Sequence, residues 1–162
     1  MPVKGRKKQF LIATCLVSIV LILDRFTKLF IKENLGVGES IPLIKNIFHI
    51  TYVRNTGAAF GLFKNSTHFF IIISIIAIVI IASILIKRIK KGELLKDLVL
   101  NIGFIMIFSG AFGNLIDRLK MGYVVDFIDV RIWPVFNIAD ISITIGTCLL
   151  IASLLLPNCL KS

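Results

Sequence analysis

Three long stretches of the chain carry almost no charge. They run from about His68 to Ile86, Leu98 to Ile116 and Ile138 to Leu156, each close to the roughly 20 apolar residues a helix needs to cross a hydrocarbon core. The first of them is dense in isoleucine, but a run this long without turn signals reads as helix rather than strand. A fourth apolar segment begins at Gln9, is interrupted by Asp24 and Arg25, and resumes at Leu29-Phe30-Ile31. A basic start before a short apolar stretch also describes a signal peptide. Asp24-Arg25 stands where a small-residue cleavage site belongs, so a retained first span is expected over about 9–30, followed by spans over about 68–86, 98–116 and 138–156.

More than thirty residues separate the first two spans, too many for a simple turn. Gly36-Val37-Gly38 breaks the first helix, and Ile41–Ile44 and Ile47–Val53 have strand composition. A small extracytoplasmic β-sheet over about 37–61 is expected, resting its apolar side chains at the membrane surface. Asn55-Thr56-Gly57-Ala58-Ala59-Phe60-Gly61 follows, a turn whose small residues let other groups approach the backbone. No internal repeat is visible. The expectation is a mainly α membrane protein of four transmembrane helices, with a small extracytoplasmic β-sheet between spans 1 and 2, forming a single domain over 1–162.

Composition agrees with this pattern and narrows the function. Hydrophobic residues make up 57% of the chain and charged ones only 17%, with a mean hydropathy of +0.94; a soluble domain carries about 25% charged residues. The net charge of +10 does not point to nucleic acid, because the basic residues sit at the ends of apolar runs, where topology and anionic lipid explain them. Lys4, Arg6, Lys7 and Lys8 precede the first span, and Lys87, Arg88, Lys90, Lys91 and Lys96 crowd the short link between the second and third. Both regions, and both termini, are therefore expected to be cytoplasmic. Cys15 and Cys148 lie in apolar runs and Cys159 near the C-terminus; their spacing suggests neither a disulfide framework nor a metal site.

That topology gathers acids. Asp24, Asp117, Asp126, Asp129 and Asp140 fall at the extracytoplasmic side, and of the six aspartates only Asp97 stays inside. Ionisable groups at a membrane are costly, and function is the default explanation for them. A serine mechanism would need a base beside Ser109, and nothing brings His49 or His68 there; no His-Glu-x-x-His occurs. Two adjacent carboxylates suffice for hydrolysis without metal or cofactor, one ionised to activate water and one protonated to polarise the amide. Spacing does not decide which two. Asp117 adjoins Arg118, Asp24 has Arg25 and Lys28, and Asp129 is near Arg131, so each has a structural or solvated reading. Asp126 and Asp140 have no basic residue within four positions, which favours them. Two other classes remain: a small proton-coupled transporter, with acids at the bilayer midplane, and a non-catalytic scaffold packed through Gly103, Gly110 and Gly113.

Five segments in order resemble one family. They are Asp24-Arg25-Phe26-Thr27-Lys28, Arg54-Asn55-Thr56-Gly57-Ala58-Ala59-Phe60, Gly110-Ala111-Phe112-Gly113-Asn114-Leu115-Ile116-Asp117-Arg118, Val124-Val125-Asp126-Phe127 and Phe136-Asn137-Ile138-Ala139-Asp140. Together with four spans they are similar to the lipoprotein signal peptidases, or type II signal peptidases. The resemblance implies an aspartic endopeptidase of the bacterial cytoplasmic (inner) membrane, acting at its extracytoplasmic face without cofactor. Its implied catalytic dyad is Asp126 and Asp140. Asn55, Asn114, Arg118 and Asn137 are the implied supporting residues, with Gly57 beside them, while Asp24, Lys28 and Asp117 look structural. The implied substrate is a prolipoprotein whose lipobox cysteine carries diacylglycerol, cut just before that cysteine by a monomer in contact with membrane lipid. One departure stands out: Arg25 occupies a position where the family often has Gln.

Overall fold

The structure, a computed structural model, describes residues 3–57 and 66–155. Four helices, α1 (Val3–Asn34), α2 (Thr67–Lys91), α3 (Leu98–Met121) and α4 (Ile138–Leu155), are joined by strands β1 (Ser40–Ile44), β2 (Phe48–Asn55) and β3 (Val124–Asp129). All four helices are long and apolar enough to cross a membrane, and the four-span architecture with a small sheet is as expected. The first three run past the expected apolar limits, because helix hydrogen bonding continues through the charged residues at span ends. Ala58 to Gly61 of the expected turn, Leu156 and Cys159 lie outside the described residues.

The sheet extends beyond the expected 37–61, taking in a third strand from after α3. β1 and β2 pair antiparallel through Ser40↔Thr51 and Ile41↔Ile50, and β3 pairs antiparallel with the other edge of β2 through Val53↔Asp126 and Asn55↔Val124. Asp126 therefore stands on a strand rather than in a loop. Gly122 makes this possible: at φ 77° it takes the left-handed conformation that ends α3, and its N–H returns to the Arg118 carbonyl. The chain reverses there and runs directly into Val124-Val125.

α3 is the central helix. Half of its apolar window is buried within the bundle, against 6% for α2. Helices in lipid associate through close packing rather than through a hydrophobic drive, and small residues set the α3–α4 approach. A Cβ added at Gly110 would lie 2.3 Å from the Ala139 carbonyl oxygen, and one at Gly103 would lie 2.9 Å from that of Gly146. At the end of the bundle away from the sheet, Ala13, Ile81, Leu85, Leu94 and Ile105 pack together. There the Gln9 side chain bonds the Gly92 carbonyl and the Leu94 N–H, both at 3.3 Å, while Asn101 Nδ2 donates to the carbonyls of Glu93, Leu94 and Asp97. At the sheet end, Ile31 and Leu35 of α1 pack on Tyr52, Val125 and Phe127. This apolar layer fixes β3 against the helices and leaves the opposite face of β3, with Asp126, turned towards α4.

Gly110→Ala is expected to destabilise the protein by about 1–3 kcal/mol through overpacking against the α4 backbone, read as an earlier unfolding midpoint in detergent micelles. Gly36→Ala, at an exposed turn, is expected to change it by less than about 0.5 kcal/mol.

Candidate active site

The start of α4 builds the first half of the site. Its leading N–H groups have no helical partner. Asn137 Oδ1 accepts the Asp140 N–H at 2.9 Å, and Asp140 Oδ2 accepts the Asn137 N–H at 3.1 Å, a reciprocal capping box. Asp24 reaches across from α1 to accept the Ala139 N–H at 2.9 Å. Two carboxylates thus meet the positive end of α4, where negative charge is favoured. Asp140 Oδ1 accepts from Asn114 Nδ2 of α3 at 2.8 Å.

The sheet supplies the second half. Val53 and Asn55 lie opposite Asp126 and Val124, so their side chains share a face. Asn55 Nδ2 donates to Asp126 Oδ2 at 2.9 Å, and Asn137 Nδ2 donates to Asp126 Oδ1 at 2.6 Å. Asn55 Oδ1 in turn accepts the Gly57 N–H at 2.9 Å, so one amide both closes a turn and holds a carboxylate. Asn137, fully buried, touches both Asp126 and Asp140. Burial first, and the neighbouring Asp140 charge second, push the Asp126 carboxyl up to about 7, against the opposite pull of the Asn55 and Asn137 N–H bonds and the more distant Lys28 charge.

Behind the pair lies a buried ionic cluster. Lys28 Nζ is 2.8 Å from Asp24 Oδ2 and 3.0 Å from Asp117 Oδ2, and it donates to Asn114 Oδ1 at 2.9 Å. Arg25 bonds the other Asp117 oxygen at 3.0 Å. The expected Asp117–Arg118 pair does not form, because consecutive residues point about 100° apart on a helix and do not face each other. Nor does Asp24 pair with Arg25. Gly113 leaves room for the Asp24 carboxylate, whose Oδ2 a Cβ would approach to 2.8 Å. Asp129, expected to be solvated, is buried. Burial opposes its ionisation, but bonds from the Thr51 hydroxyl and from the Arg131 N–H and guanidinium outweigh that and hold its carboxyl below the usual value.

Arg118 faces the cleft from the far side, its Nη2 reaching the Gly57 carbonyl at 3.4 Å and its guanidinium lying 5.1 Å from the Phe70 ring centroid. Its buried Nε–H has no acceptor among the described residues. The cleft, about 290 Å³, is lined by Asn55, Gly57, Arg118, Asp126 and Asp140 and walled by Trp133, Pro134, Val135 and Phe136. A second, more apolar groove of about 330 Å³ shares Trp133, Phe136, Asp140 and Thr144 and continues along α4 past Ile141 and Ile145. All ten residues singled out in the sequence fall within this one assembly. The aromatic wall was not foreseen; its signal was the Trp133-Pro134-Val135-Phe136 run beside Asn137. The capping box was missed as well, although Asn and Asp three positions apart before an apolar run announce one. Among the described residues, no three His, Cys, Asp or Glu side chains form a metal-ligand group.

Comparison with known proteins bears on this geometry. The family described as signal peptidase (SPase) II matches residues 16–156. The chain belongs to the lipoprotein signal peptidase family. It is 47% identical over 135 residues to the lipoprotein signal peptidase of Halothermothrix orenii, covering 83% of this chain and 89% of that one. With that of Moorella thermoacetica the identity is 46% over 143 residues, covering 88% and 91%. A solved bacterial membrane enzyme superposes with a TM-score of 0.79 at 38% identity, covering 88% of this chain and 87% of its own; another gives 0.77 at 37% identity, covering 89% and 92%. The family is one of proteases, and its four apolar helices make this member a multi-pass bacterial membrane protein.

A carboxyl-carbon NMR titration of the folded protein is expected to give Asp126 a midpoint near 7, falling in Asp140→Asn because the neighbouring charge is gone, yet staying above 3.8 because burial remains. The linked sign follows. Between 3.8, where the unfolded chain releases this proton, and about 7, where the folded chain does, the contribution of Asp126 to stability falls as pH rises and then levels off.

Proposed function

We propose that the protein is an aspartic endopeptidase that removes the signal peptide from diacylglyceryl-modified prolipoproteins, cutting before the lipidated cysteine, with Asp126 and Asp140 as its catalytic dyad. The observation that carries this reading is the convergence of two carboxylates, from β3 and from the first turn of α4, on one buried residue, Asn137, whose side-chain N–H meets Asp126 and whose backbone N–H meets Asp140. The Asp140 charge acts on Asp126, and two carboxyls coupled in this way favour a state in which one of them is protonated. The ionised member takes a proton from water as the oxygen attacks the scissile carbonyl. The protonated member hydrogen-bonds that carbonyl; as the C–N bond breaks, the departing amine takes a proton from the dyad.

The surroundings suit this chemistry. Arg118 lines the cleft, where its charge is suited to holding a substrate carbonyl. Asn55, Asn114, Asn137 and Gly57 fix the carboxylates, and Asp24, Lys28 and Asp117 fix Asn114 and the start of α4. The apolar groove beside Asp140 suits an acyl chain or the apolar stretch of a signal peptide. The relatives named lipoprotein signal peptidases support the substrate class.

Orientation follows from charge. Arg6, Lys7, Lys8, Lys87, Lys90, Lys91 and Lys96 are exposed at the end away from the sheet, so that end and both termini are assigned to the cytoplasm and the site to the extracytoplasmic face. One domain over 1–162, working as a monomer, suffices, since a single chain supplies every group. The transporter alternative gains no support from the relatives, and Asp126 stands outside the helices altogether.

The test is cleavage by the purified protein of a diacylated prolipoprotein offered alongside its unlipidated precursor. Only the first is expected to be cut, with or without chelator. Asp126→Asn and Asp140→Asn are each expected to abolish cleavage while the protein remains inserted and folded, and Asp129→Asn to retain most of it. Full cleavage by either dyad variant sinks the assignment, and equal cutting of both precursors sinks the substrate class.

A further inference from the structure

We infer that Lys28 is a positioning residue for the dyad: its ammonium holds the Asn114 side-chain amide in the one orientation that turns an N–H towards Asp140. This rests on the dyad reading and deepens it. Lys28 is 1% exposed; its ammonium donates a hydrogen bond to Asn114 Oδ1 and forms ion pairs with Asp24 Oδ2 and Asp117 Oδ2, the second through charge alone, since that oxygen accepts no hydrogen bond among the described residues. An ammonium has donors only, so the amide must give Lys28 its oxygen. The same oxygen accepts from Asn137 Nδ2 at 3.3 Å. The nitrogen is then left to face Asp140 Oδ1, at 2.8 Å. Turned over, the amide would oppose donor to donor at Lys28 and Asn137, and acceptor to acceptor at Asp140.

The same logic fixes the other two amides, with a difference. Asn137 is held by the Asp140 N–H and Asn55 by the Gly57 N–H, backbone donors present whatever residue stands there. Only at Asn114 is the orienting donor a side chain. A donor aimed at a carboxylate favours its ionised form, and an acceptor aimed at it favours the protonated form. Lys28 thereby selects which form of Asp140 its surroundings support. The charged groups around it are Asp24 and Arg25 on α1, Asp117 and Arg118 on α3, Asp126 on β3 and Asp140 on α4. Arg25 is bonded to Asp117 and Arg118 to the Gly57 carbonyl, so neither replaces Lys28 at Asn114.

The test uses Lys28→Met combined with Asp117→Asn, which removes one positive and one negative charge together and keeps the local sum. Cleavage of the diacylated precursor is followed against pH at saturating substrate. The expected result is a kcat lowered about 10–100-fold, the scale for losing an orienting outer partner, with KM little changed and the acid limb of the kcat profile moved to higher pH. In an Asn114→Ala background the same double change is expected to move the limb hardly further, since coupled residues are not additive. An unmoved limb, or equal movement in both backgrounds, overturns the inference. Where little of the double variant folds, the pH profile of Lys28→Met is measured on the folded fraction with and without Asn114→Ala: a limb that moves less in the Asn114→Ala background supports the inference and equal movement overturns it. Asp126→Asn and Asp140→Asn are assayed alongside. If either still cleaves, the dyad reading has failed; if both are inactive and the limb is unmoved, only the role of Lys28 has failed.

Discussion

A carboxylate taken out of water must find donors, and this fold takes Asp24, Asp117 and Asp126 out of water together at one end of a helical bundle, with Asp140 half-buried beside them. An uncompensated buried charge is strongly destabilising, so the positions of the donors dictate much of the structure around them. The donors come in two kinds. Asp24 and Asp117 meet cations directly, through Lys28 and Arg25. Among the described residues, Asp126 and Asp140 meet only amide N–H groups, from Asn55, Asn114 and Asn137 and from the start of α4. The first pair is neutralised by fixed charge. The second is solvated by dipoles alone, an arrangement in which a proton on one member relieves the repulsion, as the proposed chemistry requires.

Satisfying those donors demands close backbone approach, and the packing of α3 supplies it. Gly110 lets the Ala139 carbonyl lie against α3, which brings the start of α4 within reach of Asn114, and Gly113 makes space for Asp24 to bond the Ala139 N–H. A bulky residue at either place would separate α4 from α3 or α1 and strand a carboxylate. Gly122 completes the arrangement by turning the chain from α3 into β3, so that a strand, braced by Tyr52, Val125 and Phe127, presents Asp126. The small residues that a scaffold reading would take as mere helix contacts are here the condition for assembling the site.

Much of this was legible in the sequence, and the pattern of what was not is physical. The four spans declare themselves by length and lack of charge, and the two strands before span two by composition. β3 was harder to see, because pairing with β2 is a contact between residues some seventy positions apart and its apolar run is short. Local charge reasoning favoured Asp126 and Asp140 by the absence of nearby basic residues, and among the described residues neither forms an ion pair with a cation. It misassigned Asp117 to Arg118 and read Asp129 as solvated, because neighbours in sequence are not neighbours in space: Arg118 turns into the cleft, while Thr51 from the adjacent strand reaches Asp129. The i, i+4 pair of Asp24 and Lys28 was readable, being set by helix geometry alone.

Three asparagines rather than other polar residues surround the pair, and hydrogen-bond inventory explains why. Each amide must take a hydrogen from one partner and give one to a carboxylate, on opposite sides of a short, planar group. An aspartate in its place would offer no donor and add a buried charge. A lysine would offer no acceptor, and a glutamine would add a rotatable bond and lose the fixed reach. An asparagine with one side anchored by a donor that cannot accept has a single orientation, and a carboxylate on its other side always meets an N–H. The three anchors come from a strand turn, a helix start and a buried lysine, so no single element sets the whole site. That division explains how a bundle in lipid and a sheet at its surface hold one pair of acids in register.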